Sequence, residues 1–236
     1  MRYFLLVLVF LFFSPDTLGS SVSERAAASA PKSVGENMGE LVRYLTRSET
    51  NKYDQAQAIA VWIASHIAYD NYTYTAKLGQ KSGKKASARL APGAQDAASV
   101  FKNRIATCEG YANLYENMLG IAGIRSEKIF GYVLENESSA IDAKKNIRTH
   151  RPVGHVWTMV HIPGGKKLLV DVTWMSRGQS GRTNQRLTPV MKNKEIQKMK
   201  QSNQTHAYHM KYFDFDYKTL QRNGEYRFSH RKTLLR

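Results

Sequence analysis

Among 236 residues there is a single cysteine, Cys108. That scarcity excludes an intrachain disulfide and any metal site built on several thiolates. Acids are also few, 19 Asp and Glu against 35 Lys and Arg. No acidic cluster suited to calcium is visible, since Asp214 and Asp216 alone supply too few ligands. His206 and His209 stand at i, i+3 but lack a convincing third ligand, and His150 and His161 lie near His155 without forming a metal pattern. The expectation is no metal and no cofactor. A membrane-length apolar run is missing as well: residues 3–13 are unbroken but fall well short of the roughly 20 residues a spanning helix needs. No internal repeat is found.

What is present fits one globular domain, with 42% hydrophobic residues and a length that would make two domains cramped. The apolar run follows Met1 and Arg2 and precedes Ser14, Pro15 and the small residues Thr17, Gly19 and Ser20. This order predicts a signal peptide over residues 1–19 and a secreted or periplasmic protein, against the competing reading of an uncleaved anchor. Residues 20–35, rich in Ser and Ala, read as a flexible tether, and 36–236 as the domain. The net charge is +16, and removing residues 1–19 leaves it unchanged because Arg2 and Asp16 cancel. Such a balance favours an anionic wall or membrane surface, or an acidic protein. Nucleic acid is disfavoured by the leader and by the lack of a recognisable binding motif. A lone thiol in an exported protein is a buried small hydrophobe, an intermolecular link or a nucleophile, and the count alone favours burial.

Periodicity predicts a helix over 36–46, with Leu41, Val42 and Leu45 on one face, and a second from about Asp54 carrying Ile59, Trp62, Ile63 and Ile67. Residues 77–89 hold five bases and no acid, the composition of a solvated loop. A short helix follows over 96–101. A longer one over 107–121 has Thr107 as N-cap and Leu114, Met118 and Ile121 facing inward. Cys108 then sits in the first turn, where unpaired N–H groups and the helix dipole favour a thiolate. Residues 127–134 read as a strand and 135–154 as a polar loop. Two strands, 155–162 and 166–173, flank Pro163, Gly164 and Gly165. Residues 175–205 carry seven bases against Glu195 and read as loop with one short helix, and the aromatic-rich 208–228 as a cover for the sheet.

A three-residue hairpin loop pairs Ile162 with Lys166 and His155 with Thr173, which places Asp171 diagonally across from His155 on one face. A two-residue loop would send Asp171 to the opposite face. Cys108, His155 and Asp171 can fill the roles of nucleophile, base and orienting carboxylate. Residue types and spacing leave this level with the alternative in which His155 is a polar strand position, Asp171 begins a turn and Cys108 is buried.

The local sequences resemble the transglutaminase-like superfamily in three blocks that stand in the family's order. Thr107-Cys108-Glu109-Gly110-Tyr111-Ala112 resembles the nucleophile block, His155-Val156-Trp157 the His-x-Trp block, and Leu169-Val170-Asp171-Val172-Thr173-Trp174 the aspartate block. Weaker likeness extends through Trp62, Tyr69-Asp70, Tyr212-Phe213 and His230. Ala106 and Thr158 depart from the glycine and asparagine frequent at those places. The resemblance implies a papain-like α+β fold, with N-terminal helices and the Cys helix packed on an antiparallel sheet that bears His and Asp. It also implies attack on a peptide or protein amide through an acyl-thioester, resolved by water or by an amine. The Cys108 N–H and one further donor would hold the oxyanion. Trp62 and Tyr69 are candidates for that donor, though each reads first as a core aromatic.

Overall fold

The computed structural model describes residues 26–27, 29–70, 94–135, 151–177, 208–216, 218 and 229–230. The predicted leader, the 77–89 loop and residues 178–207 lie outside these residues. Three helices begin at side-chain caps that satisfy otherwise orphaned N–H groups. Asn37 accepts from Glu40 N at the start of α1 (Met38–Thr46). Asn51 accepts from Asp54 N before α2 (Lys52–His66). Asp96 accepts from Ser99 N before α3 (Ala97–Asn103). Helix α2 is nearly enclosed, from Ala56 through Ala64, and forms the spine of the core.

Two short strands follow the ends of α2 and α3. β1 (Ala68–Tyr69) runs parallel to β2 (Ile105–Ala106), tied by Ala68 N to Arg104 O and Asp70 N to Ala106 O. This ladder fixes the segment that delivers the chain into α4 (Cys108–Ile121). Helix α4 packs on β3 (Ser126–Glu135) and β4 (Arg151–His161), the centre of a four-stranded antiparallel sheet. Its order is β5-β4-β3-β6, with β5 at Lys167–Val170 and β6 at Ser229–His230. The α+β architecture expected of the family is the one observed.

The hairpin register is the expected one: Ile162 N donates to Lys166 O, and Thr158 pairs with Val170. Gly164 and Gly165 adopt φ of +83° and +81°, conformations that side chains disfavour and that close the turn.

Four expectations need correction. The strand predicted to reach Thr173 stops at Val170, and Val172–Arg177 form helix α5 instead. The β-branched Val172 and Thr173 and the aromatic Trp174 look strand-like, but Asp171 Oδ1 accepts from Trp174 N at 3.0 Å and caps a helix. β4 begins at Arg151 rather than His155, because its backbone pairing with β3 continues through Tyr132–Glu135. Ile121 is 47% exposed. The helix ends in a Schellman turn with Gly123 at φ +66°, in which Ile124 N reaches Leu119 O and Ile124 is buried in its place. Finally, Ala27 and Ala30, within the stretch read as a tether, are buried against the core, so packing begins before residue 36.

Candidate active site

The turn before α4 is locked from an unexpected direction. Thr107 occupies the N-cap position with extended backbone but makes no side-chain cap. Its N–H and its hydroxyl both donate to Gln95 Oε1, at 2.8 and 2.9 Å. The first N–H groups of α4 are therefore not satisfied by Thr107, and the positive end of the helix lies beside Cys108. Gly110 is needed in the same turn. A Cβ there would meet Val100 Cγ2 at 2.8 Å and Ala106 Cβ at 2.9 Å, and would collide with Gln95 Oε1 as well. Tyr111 ties the helix to its surroundings, donating to Ile67 O and meeting Ser176 Oγ at 2.9 Å.

Cys108 is half-buried. Across from it, β4 presents His155, which pairs in register with Gly131, a residue with no side chain to crowd the ring. Asp171 is set at the end of β5, where its own N–H donates to Tyr212 O. His155 Nε2–H donates to Asp171 Oδ2 at 2.7 Å, with both residues buried. Since Oδ1 is used by Trp174 N, both carboxylate oxygens are engaged and the group cannot rotate away from the imidazole. Trp157 and Trp174 flank the ring at 5.8 and 5.9 Å between centroids, keeping water from its sides.

The other nitrogen of the ring, Nδ1, is left to face the sulfur. Burial alone would push the Cys108 thiol up, but the hydrogen bond and charge of His155 and the Val156 N–H outweigh it, so the thiol lies below its ordinary value. Burial likewise opposes charge on His155, yet the Asp171 carboxylate and the neighbouring sulfur raise it to about 10. Both shifts run toward a thiolate beside an imidazolium.

Of the residues read from sequence, the structure brings Cys108, His155 and Asp171 together. Trp62 is packed elsewhere, stacked on His66 at 4.7 Å with the Arg104 guanidinium over its ring at 4.5 Å. Tyr69 stacks on Tyr111 at 6.5 Å. Gln95 was not anticipated. It stands 12 residues before Thr107, beyond an intervening helix, and no local pattern marks it as the acceptor for that turn.

Residues 39–176 match the family model described as the transglutaminase-like superfamily, and this span contains all three assembled residues. The chain belongs to the transglutaminase-like superfamily. Kyphoscoliosis peptidase of Mus musculus is 27% identical over 154 residues, covering 65% of this chain and 20% of the relative. The Homo sapiens protein of the same name is 26% identical over 139 residues, covering 59% of this chain and 18% of the relative. The chain therefore spans about a fifth of the length of the curated relatives it matches. A solved structure described as a crystal structure of a TGase aligns over 73% of this chain and 38% of its own, with a TM-score of 0.42 at 14% identity. Members of this superfamily are often cysteine-dependent acyltransferases or peptidases, and the mixed helix and antiparallel-sheet fold described above is theirs.

Proposed function

We propose that the protein is a cysteine-dependent amide hydrolase or acyltransferase, with Cys108 as nucleophile, His155 as acid and base, and Asp171 as the residue that orients and charges His155. The observation that carries this reading is the continuous line from a buried carboxylate through His155 to the sulfur. The thiolate adds to the carbonyl carbon of an amide, and the Cys108 N–H at the start of α4 stabilises the oxyanion. As the C–N bond breaks, the imidazolium gives its proton to the leaving amine, which departs from an acyl-thioester. Water or a second amine then loses a proton to the neutral ring and attacks the thioester. The C–S bond breaks and the thiolate–imidazolium pair is restored. No metal or cofactor enters these steps.

The mouse and human relatives are named as peptidases, which favours water over an amine as the acceptor in this chain. The apolar run over residues 3–13, read as part of a leader, favours a reaction outside the cytoplasm, and the net charge of +16 favours substrates held at an anionic wall or membrane surface. A second reading, a non-catalytic module of the same fold that binds such a surface, is favoured by that charge alone.

Mass spectrometry of candidate proteins or wall peptides incubated with the protein, with and without a primary amine, tests the proposal. Expected is a mass change that vanishes in Cys108→Ala. A change that persists in that variant contradicts the assignment of the nucleophile, and hydrolysis or amine incorporation identifies the acceptor.

A further inference from the structure

Two large hydrophobic side chains are exposed among the described residues, Ile121 at 47% and Phe130 at 54%. Ile121 lies at the far end of α4 from Cys108. Phe130 stands in the middle of β3, where the register sets its position relative to the nucleophile. It pairs with Val156, and the Val156 N–H donates to the Cys108 sulfur. Paired residues on antiparallel strands lie about 4.5–5.5 Å apart, with their side chains on one face. Phe130 is therefore one strand's width from the part of β4 against which the sulfur rests.

A second contact fixes the face. Lys128 precedes Phe130 by two residues and so points to the same side of the sheet. Its Nζ donates to Asn113 Oδ1 at 2.9 Å and meets Glu116 Oε2 at 3.3 Å, both on α4. The step from Lys128 to Phe130 runs toward the start of that helix, because the partner of Phe130 touches Cys108 while Lys128 meets residues farther along. Phe130 thus projects on the α4 side, beside the turn that holds the sulfur. His155 projects from the opposite face of β4, since neighbouring strand residues alternate. A large apolar ring left in water beside a nucleophile gains free energy when a substrate covers it.

We propose that Phe130 is the apolar seat for the substrate residue that supplies the acyl group. The inference rests on the catalytic reading above. His155 protonates the leaving amine, so that amine lies on the His155 face of β4, and the acyl portion extends across the other face, over Phe130. The favoured substrate is a peptide amide whose acyl residue carries an aromatic or branched aliphatic side chain.

N-acetyl amino-acid chloromethyl ketones test this in the full chain. Each places a side chain on the acyl side of a carbon that alkylates the Cys108 sulfur with loss of chloride. The phenylalanine and serine reagents are compared, and each rate is divided by that of iodoacetamide, which has no side chain, in the same protein. That ratio removes any change in the thiolate itself. Wild type should prefer the phenylalanine reagent by about tenfold, the low end for an apolar contact in a binding site. Phe130→Thr, which keeps a strand-forming residue, should bring the two reagents near parity, and Phe130→Leu should retain most of the preference. Equal rates in wild type, a preference that survives in Phe130→Thr or one that is lost in Phe130→Leu would each overturn the proposal. Iodoacetamide labelling of wild type with the pH profile of a free thiol would instead remove the catalytic reading, and this proposal with it.

Discussion

His155 Nε2 lies 2.7 Å from Asp171 Oδ2, and the second oxygen of the same carboxylate caps α5 by accepting from Trp174 N at 3.0 Å. One buried side chain therefore charges the imidazole and starts a helix. The two roles can be separated by substitution. In Asp171→Asn an amide oxygen can still cap α5, but the negative charge that holds His155 protonated is gone. Activity is expected to fall by about 10²–10⁴-fold, the scale of an orienting carboxylate in a catalytic triad, with little change in the unfolding midpoint. Asp171→Ala should lose a comparable amount of activity and, in addition, about 1 kcal/mol of stability from the missing cap. Equal midpoints for the two variants in denaturant unfolding would contradict the capping role.

Gly110 permits the approach of three side chains to the first turn of α4. Adding a methyl group forces Val100, Ala106 and Gln95 apart. Gly110→Ala is expected to destabilise the fold by about 1–3 kcal/mol, as overpacking does, despite the higher helix propensity of alanine. A chemical denaturation curve at or above the wild-type midpoint would show that the turn relaxes freely.

Gln95 holds the Thr107 N–H and hydroxyl with one oxygen. Gln95→Leu keeps much of the volume and removes that acceptor, leaving a buried N–H unsatisfied at a cost of about 1–3 kcal/mol. Because the turn it fixes leads directly into Cys108, the native protein should also be alkylated at Cys108 more slowly than wild type. Unchanged alkylation kinetics would confine Gln95 to a structural role.

The parts of this site that were legible in the sequence share a local cause. The hairpin register follows from a three-residue loop with two glycines, and that register places His155 and Asp171 on one face. The position of Cys108 at a helix start follows from the apolar period behind it. What was not legible depends on partners distant in the chain or on a choice between two local structures. Val172, Thr173 and Trp174 carry strand propensity, yet Asp171 turns them into a helix through one capping bond. Thr107 looks like a capping residue, but Gln95 takes its hydroxyl. Ile121 continues the apolar face of α4, while the glycine turn after it buries Ile124 instead. Arg104 carries no sequence sign that its guanidinium will be folded inward over two rings.

The pH dependence of turnover follows from the charges on the pair. Activity needs the thiolate and the imidazolium together. The thiol lies below its ordinary value, so activity should already have risen at a pH where a free thiol, with a pKa of about 8.5, is mostly protonated. His155 is raised to about 10, so activity should decline only as pH approaches that value and the leaving amine loses its proton donor. The limbs of the pH profile of kcat/KM measure both. A profile that climbs through the free-thiol range with no alkaline fall would mean that the pair is not preformed.

The most direct measurement is the rate of iodoacetamide alkylation of Cys108 against pH, in wild type and in His155→Gln. Burial raises the thiol and His155 lowers it, with the second effect larger. The wild-type midpoint should therefore fall below the free-thiol value of about 8.5, and the variant's should rise above the wild type's as burial is left unopposed. Coincident midpoints in the two proteins, both at the free-thiol value, would contradict the thiolate–imidazolium pair on which the catalytic account stands.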